Sequence, residues 1–107
     1  MTEQQNTRRE MLEELLAKNP SDAFTLYGLA LECVHSGDFT AAEGHFRALL
    51  ESHPDYGPGY QMYAQNLVRH HREEEAKTVL TQGLEAAARA GNQHALSEMQ
   101  GLLSELG

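Results

Sequence analysis

Residues 51–60 read ESHPDYGPGY and place two prolines and two glycines in a chain whose other segments are typical of helix. Such a stretch is either a flexible linker between domains or a turn that one fold requires. A counterpart decides between them, because NPSDAF surrounds Pro20 and the offset from Pro20 to Pro54 is 34 residues. A linker has no reason to recur in register, so we interpret the stretch as a turn in a repeat of that length.

The rest of the chain supports the repeat when it is aligned with itself at the same offset. Further identical pairs are Ala30 and Ala64, Val34 and Val68, Ala42 and Ala76, Leu50 and Leu84, and Glu51 and Glu85. Within each period the apolar residues recur at helical spacing, in a first set at 26, 29, 30 and 33 or 60, 63, 64 and 67, and in a second at 42, 46, 49 and 50 or 76, 80 and 84. Each period therefore predicts two amphipathic helices.

Composition agrees with an all-α fold and excludes several classes of function. Leu and Ala dominate the apolar residues while Ile is absent, and 107 residues with 40% apolar content suit one domain. The formal charge of −8 argues against nucleic acid as a partner. Cys33 is the only cysteine, no signal peptide is visible, and no apolar run is long enough for a membrane span. We therefore expect a cytoplasmic protein, and the start at Met1 favours a complete one.

These residues resemble the tetratricopeptide repeat family. The residues that carry the resemblance are Leu26, Leu29, Ala30, Cys33, Gly37, Ala42, Phe46, Leu49 and Pro54 in one repeat, and Tyr60, Tyr63, Ala64, Leu67, Ala76, Leu80 and Gly83 in the next. Departures are Cys33 and Leu67 at an aromatic position, His71 in the place of Gly37, and Ala88 in the place of the closing proline.

The resemblance implies an all-α fold, a right-handed superhelix of antiparallel helix pairs, that is, a short α-solenoid of about six helices. We expect a single domain, 1–107, made of an N-terminal capping helix (1–20), two repeats (23–56 and 57–90) and a C-terminal capping helix (91–107). The helices are predicted at about 6–18, 21–36, 40–52, 57–70, 73–90 and 92–105. The first of them matches the second helix of a preceding pair, because Leu12 aligns with Phe46, and Arg8 with Ala42.

Turn residues mark the predicted helix ends. Gly37 is suited to the left-handed residue after the first helix of the repeat, and Thr40 with Glu43 predicts a capping box that opens the second. His71 stands where Gly37 stood, so the second turn is expected to be looser than the first. Asn92 can cap the last helix.

Solenoids of this kind bind partners through the concave surface, which the first helix of each pair lines. The residues predicted to bind a peptide there are Tyr27, Leu31, Val34, His35, Gln61, Gln65, Val68 and Arg69. Tyr27 and Leu31 beside Gly28 would make a small apolar hollow. In the competing interpretation a terminal helix covers Leu31 and Val34 and closes the groove. Family members that hold chaperone tails use basic and amide residues where this chain has Tyr27, Leu31, Met62, Asn92 and Leu96, so such tails are not expected as ligands.

The sequence favours binding over catalysis. No Ser, Cys or His stands in a catalytic signature, and no glycine-rich phosphate loop is present, so we expect no enzyme and no cofactor. His70 and His71 are neighbours that point in different directions on a helix, so no metal site is expected. The partner is a protein or peptide that the sequence does not identify. A homo-oligomer is the alternative, because two full repeats fall short of the three that such stacks prefer, and the apolar edge of helix 92–105 could complete a neighbouring stack.

Overall fold

The computed structural model describes the backbone of residues 3–107 and the side chains of residues 8–107. The described backbone forms six helices and contains no strand. They are α1 (Glu3–Lys18), α2 (Ala23–Ser36), α3 (Phe39–Ser52), α4 (Gly57–Arg69), α5 (Glu73–Ala90) and α6 (Gln93–Leu106). The all-α repeat fold predicted from the sequence is confirmed, and most predicted helix ends agree with the observed ones within two residues.

The chain divides into two compact units, Met1–His53 and Pro54–Gly107. In the first unit α2 packs against both α1 and α3. In the second unit α5 packs against both α4 and α6, and α4 also contacts α6. Each unit therefore contains one repeated pair, α2 with α3 or α4 with α5, and one additional helix.

The core of the first unit contains the apolar residues that the period of 34 selects. Leu26, Leu29, Ala30 and Cys33 of α2, with Ala42, Phe46 and Leu49 of α3, are all buried. Cys33 is free and fully buried, and this burial raises the pKa of its thiol although Arg9 opposes the shift. The expectation that Cys33 is a small core residue is confirmed.

The second unit buries the matching positions and adds those of α6. Its core contains Tyr60, Tyr63, Ala64, Leu67, Ala76, Val79, Leu80, Ala86, Ala87, Ala95 and Met99. The turn before α4 is held from within this unit, because the Tyr60 hydroxyl donates to the Pro54 carbonyl at 2.6 Å. Arg89 Nη2 also donates to Asp55 Oδ1 at 2.9 Å. Residues 54–56 thus form a short turn with two side-chain anchors.

A Schellman motif ends α2, with Gly37 in the left-handed conformation at φ 80°. The Asp38 N–H donates to the Cys33 carbonyl at 2.8 Å, and the Gly37 N–H donates to the Val34 carbonyl at 3.1 Å. The same motif ends α5 at Gly91, where φ is 68°.

The motif also recurs after α4, where the left-handed residue is His71 with φ 63°. The Arg72 N–H donates to the Leu67 carbonyl at 2.9 Å, and the His71 N–H donates to the Val68 carbonyl at 3.0 Å. These bonds are as short as those after α2, so the expectation of a looser second turn is wrong. The hydrogen bonds hold His71 in a conformation that disfavours residues with a Cβ.

The predicted capping box at Thr40 and Glu43 is also wrong. Helix α3 begins at Phe39, and its cap is Asp38, whose Oδ1 accepts the Ala41 N–H at 3.2 Å. Asp38 closes the Schellman motif of α2 and caps α3, so the corner is shorter than the pattern suggested. The Asn92 cap of α6 is confirmed, because Asn92 Oδ1 accepts the Ala95 N–H at 3.0 Å.

Gly83 marks the closest approach within the second unit. A Cβ at this position would lie 2.6 Å from Met99 Sδ and 2.7 Å from Tyr60 Cβ. Tyr60 belongs to α4 and Met99 to α6, so the absent side chain at Gly83 lets α5 approach both neighbours. Glycine is required here by packing, because the position is a regular helical residue.

We predict that His71→Gly raises the free energy of unfolding by about 1 kcal/mol, because glycine adopts the left-handed conformation without the Cβ clash. Urea unfolding followed by circular dichroism measures the change. Gly37→His, the reverse exchange one repeat earlier, should lower the same quantity by a similar amount. His70→Gly is the control, since His70 has φ −106° and should gain nothing. A stability gain at His70 equal to that at His71 would contradict this explanation.

We also predict that Gly83→Ala lowers the free energy of unfolding by about 1 to 3 kcal/mol, because the new methyl group must displace Tyr60 or Met99. The matched control is Gly44→Ala in α3, where nothing lies within 4 Å of the added Cβ. Alanine should stabilise that helix by up to about 1 kcal/mol. Equal effects of the two substitutions in urea unfolding would show that Gly83 is not a packing residue.

Candidate functional site

A hollow of about 400 Å³ opens between α1 and α2 of the first unit. Its walls are mostly apolar, and Arg8 is the one charged residue among the described residues that line it. The lining residues are Arg8, Met11, Leu12, Leu15, Phe24, Tyr27, Gly28 and Leu31. We call this feature the α1–α2 hollow.

The helical spacing of α1 and a small residue on α2 create the hollow. Leu12 and Leu15, with Met11 beside them, lie on one face of α1, because residues three and four apart share a face. Leu12 is only 7% exposed. A Cβ at Gly28 would lie 3.5 Å from both methyl carbons of Leu12, so the two helices meet closely at this point. The hollow lies beside this contact and is walled by larger side chains.

The exposed apolar side chains of the chain are concentrated at the hollow. Among the described residues, three large apolar side chains are exposed: Met11 at 58%, Leu15 at 47% and Phe24 at 74%. All three line the hollow. Exposed apolar groups that are scattered singly need no explanation, whereas a contiguous patch marks an interaction site. This clustering identifies the hollow as the candidate site.

Polar groups fix the edges of the hollow. Arg8 Nε lies 2.8 Å from Glu32 Oε2, which joins α1 to α2. The Arg8 side chain remains 65% exposed, so this ion pair contributes little to stability. Arg9 points elsewhere, with Nε 3.4 Å from Glu13 Oε2 and Nη2 3.7 Å from Asp38 Oδ2. The charge available to a ligand of the hollow therefore comes from Arg8.

Asp22 sets the start of α2 and so the positions of Phe24 and Tyr27. Its Oδ2 accepts the Thr25 hydroxyl at 2.6 Å and the Thr25 N–H at 3.0 Å. These hydrogen bonds from Thr25 hold the pKa of the Asp22 carboxyl below its usual value. The charged cap is therefore retained as the pH falls through the usual range of aspartate, and is lost only when the pH falls through the lowered pKa.

The structure separates the four predicted binding residues of α2. Tyr27 and Leu31 line the hollow and are half-buried, so the predicted apolar hollow beside Gly28 exists. Val34 is half-buried and His35 is exposed, and neither lines it. Helix α1 forms one wall of the hollow without closing it.

Sequence reasoning missed the contribution of α1 and of Phe24. The capping helix was expected to present a polar outer face, yet Met11 and Leu15 are exposed there. A signal existed, because Met11 and Leu15 are four residues apart on a helix that already has Leu12 and Leu16 for packing. That excess of apolar residues over a single buried stripe was the available indication.

A second recess, of about 320 Å³, lies between α4 and α6 in the second unit and is mostly polar. Its lining residues are Gln61, Gln65, Ser97, Glu98, Gly101, Leu102 and Glu105. Gln61 Nε2 lies 3.5 Å from Glu98 Oε1, which links α4 to α6 across it. Two of the four predicted residues of α4, Gln61 and Gln65, thus line this recess.

The other two predicted residues of α4 lie outside the recess. Val68 is half-buried, and Arg69 is exposed as the last residue of the helix. Asn92, one of the positions compared with chaperone-binding relatives, uses its side-chain oxygen to cap α6.

Two other features bear on function. Among side chains 8–107, no group of three or more His, Cys, Asp or Glu residues lies close enough to hold a metal ion. Within residues 3–107, no helix combines the length and the apolar character that a membrane crossing requires.

Comparison with known proteins identifies similar chains. The model of the tetratricopeptide repeat family matches residues 34–104. A tetratricopeptide repeat domain protein from Salinibacter ruber is 33% identical in both its crystal structure (TM-score 0.73, covering 79% of this chain and 94% of that one) and its solution NMR structure (TM-score 0.77, covering 82% and 89%). A solution structure of a protein from Bordetella parapertussis is 28% identical (TM-score 0.78, covering 92% and 85%). No curated protein matches this chain significantly.

We predict that the native protein binds the anionic apolar dye anilinonaphthalene sulfonate at the hollow, where apolar walls meet Arg8. Leu15→Glu should weaken dye binding about tenfold, since it removes an apolar wall and adds a negative charge; tenfold corresponds to about 1.4 kcal/mol. Fluorescence titration measures the affinity. Ala17→Glu is the matched control, because Ala17 is exposed on α1 and does not line the hollow. Equal affinity for the two variants would place the dye elsewhere.

Proposed function

Because this chain belongs to the tetratricopeptide repeat family, whose fold is a general protein-interaction module, we propose that it binds a partner protein or peptide through the first helix of each of its helix pairs. The observation that carries the proposal is the cluster of exposed apolar side chains Met11, Leu15 and Phe24 around the α1–α2 hollow. Leaving these groups in water costs free energy that a bound partner would recover.

The partner segment at the hollow is apolar in chemistry. Tyr27 and Leu31 on α2 and Met11 and Leu15 on α1 offer two apolar walls, and Arg8 stands at the edge. Such a site accommodates apolar side chains from one face of an amphipathic helix or from alternate positions of an extended strand. A carboxylate beside those side chains would meet Arg8.

The first helix of the second unit offers different contacts. Gln61 and Gln65 carry amides that can donate to and accept from the main chain of a bound peptide. Val68 and Arg69 lie further along α4, where the exposed Arg69 can meet an acidic group of the partner. We include these four residues in the proposed binding surface, with Val34 and His35 at the corresponding end of α2.

We further propose that the protein acts by binding, has no catalytic role, and works in a reducing compartment such as the cytoplasm. The family is generally non-catalytic. The location is supported by the free Cys33 thiol in the core, since a structural thiol needs no oxidising environment.

A single tryptophan placed at the hollow tests the binding proposal. The chain has no tryptophan, so Phe24→Trp introduces a unique fluorophore at the most exposed of the three apolar residues. Peptides selected from a random displayed library on the wild-type protein are then titrated into this variant. We expect a blue shift of its emission as the indole leaves water, and an affinity at least about tenfold weaker when Leu15→Glu is added.

The Ala17→Glu substitution in the same tryptophan background is the control and should leave the peptide affinity unchanged. Tyr27→Ala should weaken binding without loss of helicity by circular dichroism. If selected peptides bind Leu15→Glu and Tyr27→Ala as tightly as the parent protein, the hollow is not the binding surface and the proposal is wrong.

A further inference from the structure

The repeat register shows which element is missing at the α1–α2 hollow. Arg8, Leu12 and Leu15 of α1 align at 34 residues with Ala42, Phe46 and Leu49 of α3, and at twice that offset with Ala76, Leu80 and Gly83 of α5. All six aligned residues of α3 and α5 are buried. In α5, Gly83 faces Tyr60 of α4, the first helix of its own pair. The residues of α1 that line the hollow therefore stand where a second helix receives the first helix of its own pair.

Helix α6 has the complementary incompleteness. It follows α5 as α2 follows α1, so it occupies the place of a first helix, and no second helix follows it within the described residues. The two caps, Asp22 of α2 and Asn92 of α6, give the register between these helices. Aligned on the caps, Leu96, Met99 and Leu103 of α6 fall at the positions of Leu26, Leu29 and Cys33 of α2.

Those three α2 positions are fully buried or nearly so, whereas Leu96 and Leu103 of α6 remain half-exposed. They are two helical turns apart and lie along one side of the helix. Met99 is buried within the second unit. Helix α6 thus presents an apolar edge at the positions that the α2 of a complete pair buries.

We propose that helix α6 of a second copy of this chain fills the α1–α2 hollow, so that α6 of one copy and α1 of the next form one complete helix pair. This inference rests on the proposed function, because it names the partner of the same site. The association is head to tail, since the hollow and α6 are different surfaces of the same chain. Leu96 and Leu103 would contact the apolar walls that Met11 and Leu15 provide.

Charge favours this occupant. Helix α6 carries Glu98 and Glu105 and contains no Lys or Arg. Arg8 lines the hollow, and Lys18 follows Leu15 by one turn on α1. An acidic helix therefore approaches a basic edge, although the chain as a whole has a formal charge of −8.

Complementation between two defective variants tests the head-to-tail interface. Leu15→Glu damages only the hollow, and Leu103→Glu damages only the edge of α6. We expect sedimentation velocity to show concentration-dependent association of the wild type, and each variant alone to associate at least tenfold more weakly. An equimolar mixture should form a one-to-one dimer, because the intact hollow of one variant meets the intact α6 of the other.

Ala17→Glu and Ser104→Glu are the matched controls, since each adds the same charge at an exposed position on the same helix. Circular dichroism verifies folding, and Leu96→Glu replaces Leu103→Glu if the latter loses helicity. A monomeric wild type at the highest concentration reached, unchanged association of the α6 variant, or a mixture that stays monomeric would each overturn the inference. None of these results affects peptide binding at the hollow, whose own failure is an unchanged peptide affinity in Leu15→Glu.

Discussion

The structure depends on one constraint: an amphipathic helix cannot bury its apolar face without a neighbour. In the first unit α2 satisfies this requirement twice, because it packs against α1 and α3. In the second unit α5 has the same central position between α4 and α6. The buried residues of these helices, from Leu26 to Leu80, recur because each pair meets the same geometric demand. The helices at the ends of the series meet it on one side only, and the exposed apolar groups of the chain lie on such a helix and at the start of its neighbour.

The corners between helices are subject to a second constraint, which concerns the backbone. A helix that reverses direction within two or three residues needs a left-handed residue to return its last carbonyls to hydrogen bonds. Gly37 and Gly91 satisfy this at little cost, whereas His71 does so against the preference of its Cβ. The identical hydrogen bonds after α2 and α4 show that the repeat geometry determines the local conformation even where the residue is unfavourable. Asp38 shows the corresponding economy, because one side chain serves the end of α2 and the start of α3.

The sequence predicted those parts of the fold that are written as periodicity. Pro20 and Pro54 revealed the repeat, and the spacing of Leu26, Leu29 and Cys33 selected the core face. The cap of α3 was assigned to the wrong residue, because Thr40 with Glu43 satisfies a general pattern while the length of the corner, which decides the cap, is a property of the packed helices. The hollow was predicted only in part. Tyr27 and Leu31 followed from the helical face, but Met11 and Leu15 could not be identified as exposed, since periodicity marks a residue as apolar without showing whether a neighbouring helix covers it.

The same period separates the residues that make the fold from those that distinguish the two units. Tyr27 and Leu31 of α2 align at 34 residues with Gln61 and Gln65 of α4. Both pairs line a recess in their own unit, but the first recess is apolar and the second is polar. Between these positions the chain keeps Leu29 or Tyr63 and Ala30 or Ala64 buried in the core. Adjacent residues on one helix are thus under different constraints: the inward face must remain apolar to hold the pair together, while the outward face is free to change from phenol and alkyl groups to amides. A partner that contacts both units would therefore meet two chemistries presented by one repeated scaffold, which is why binding specificity in this chain depends on residues that its fold does not require.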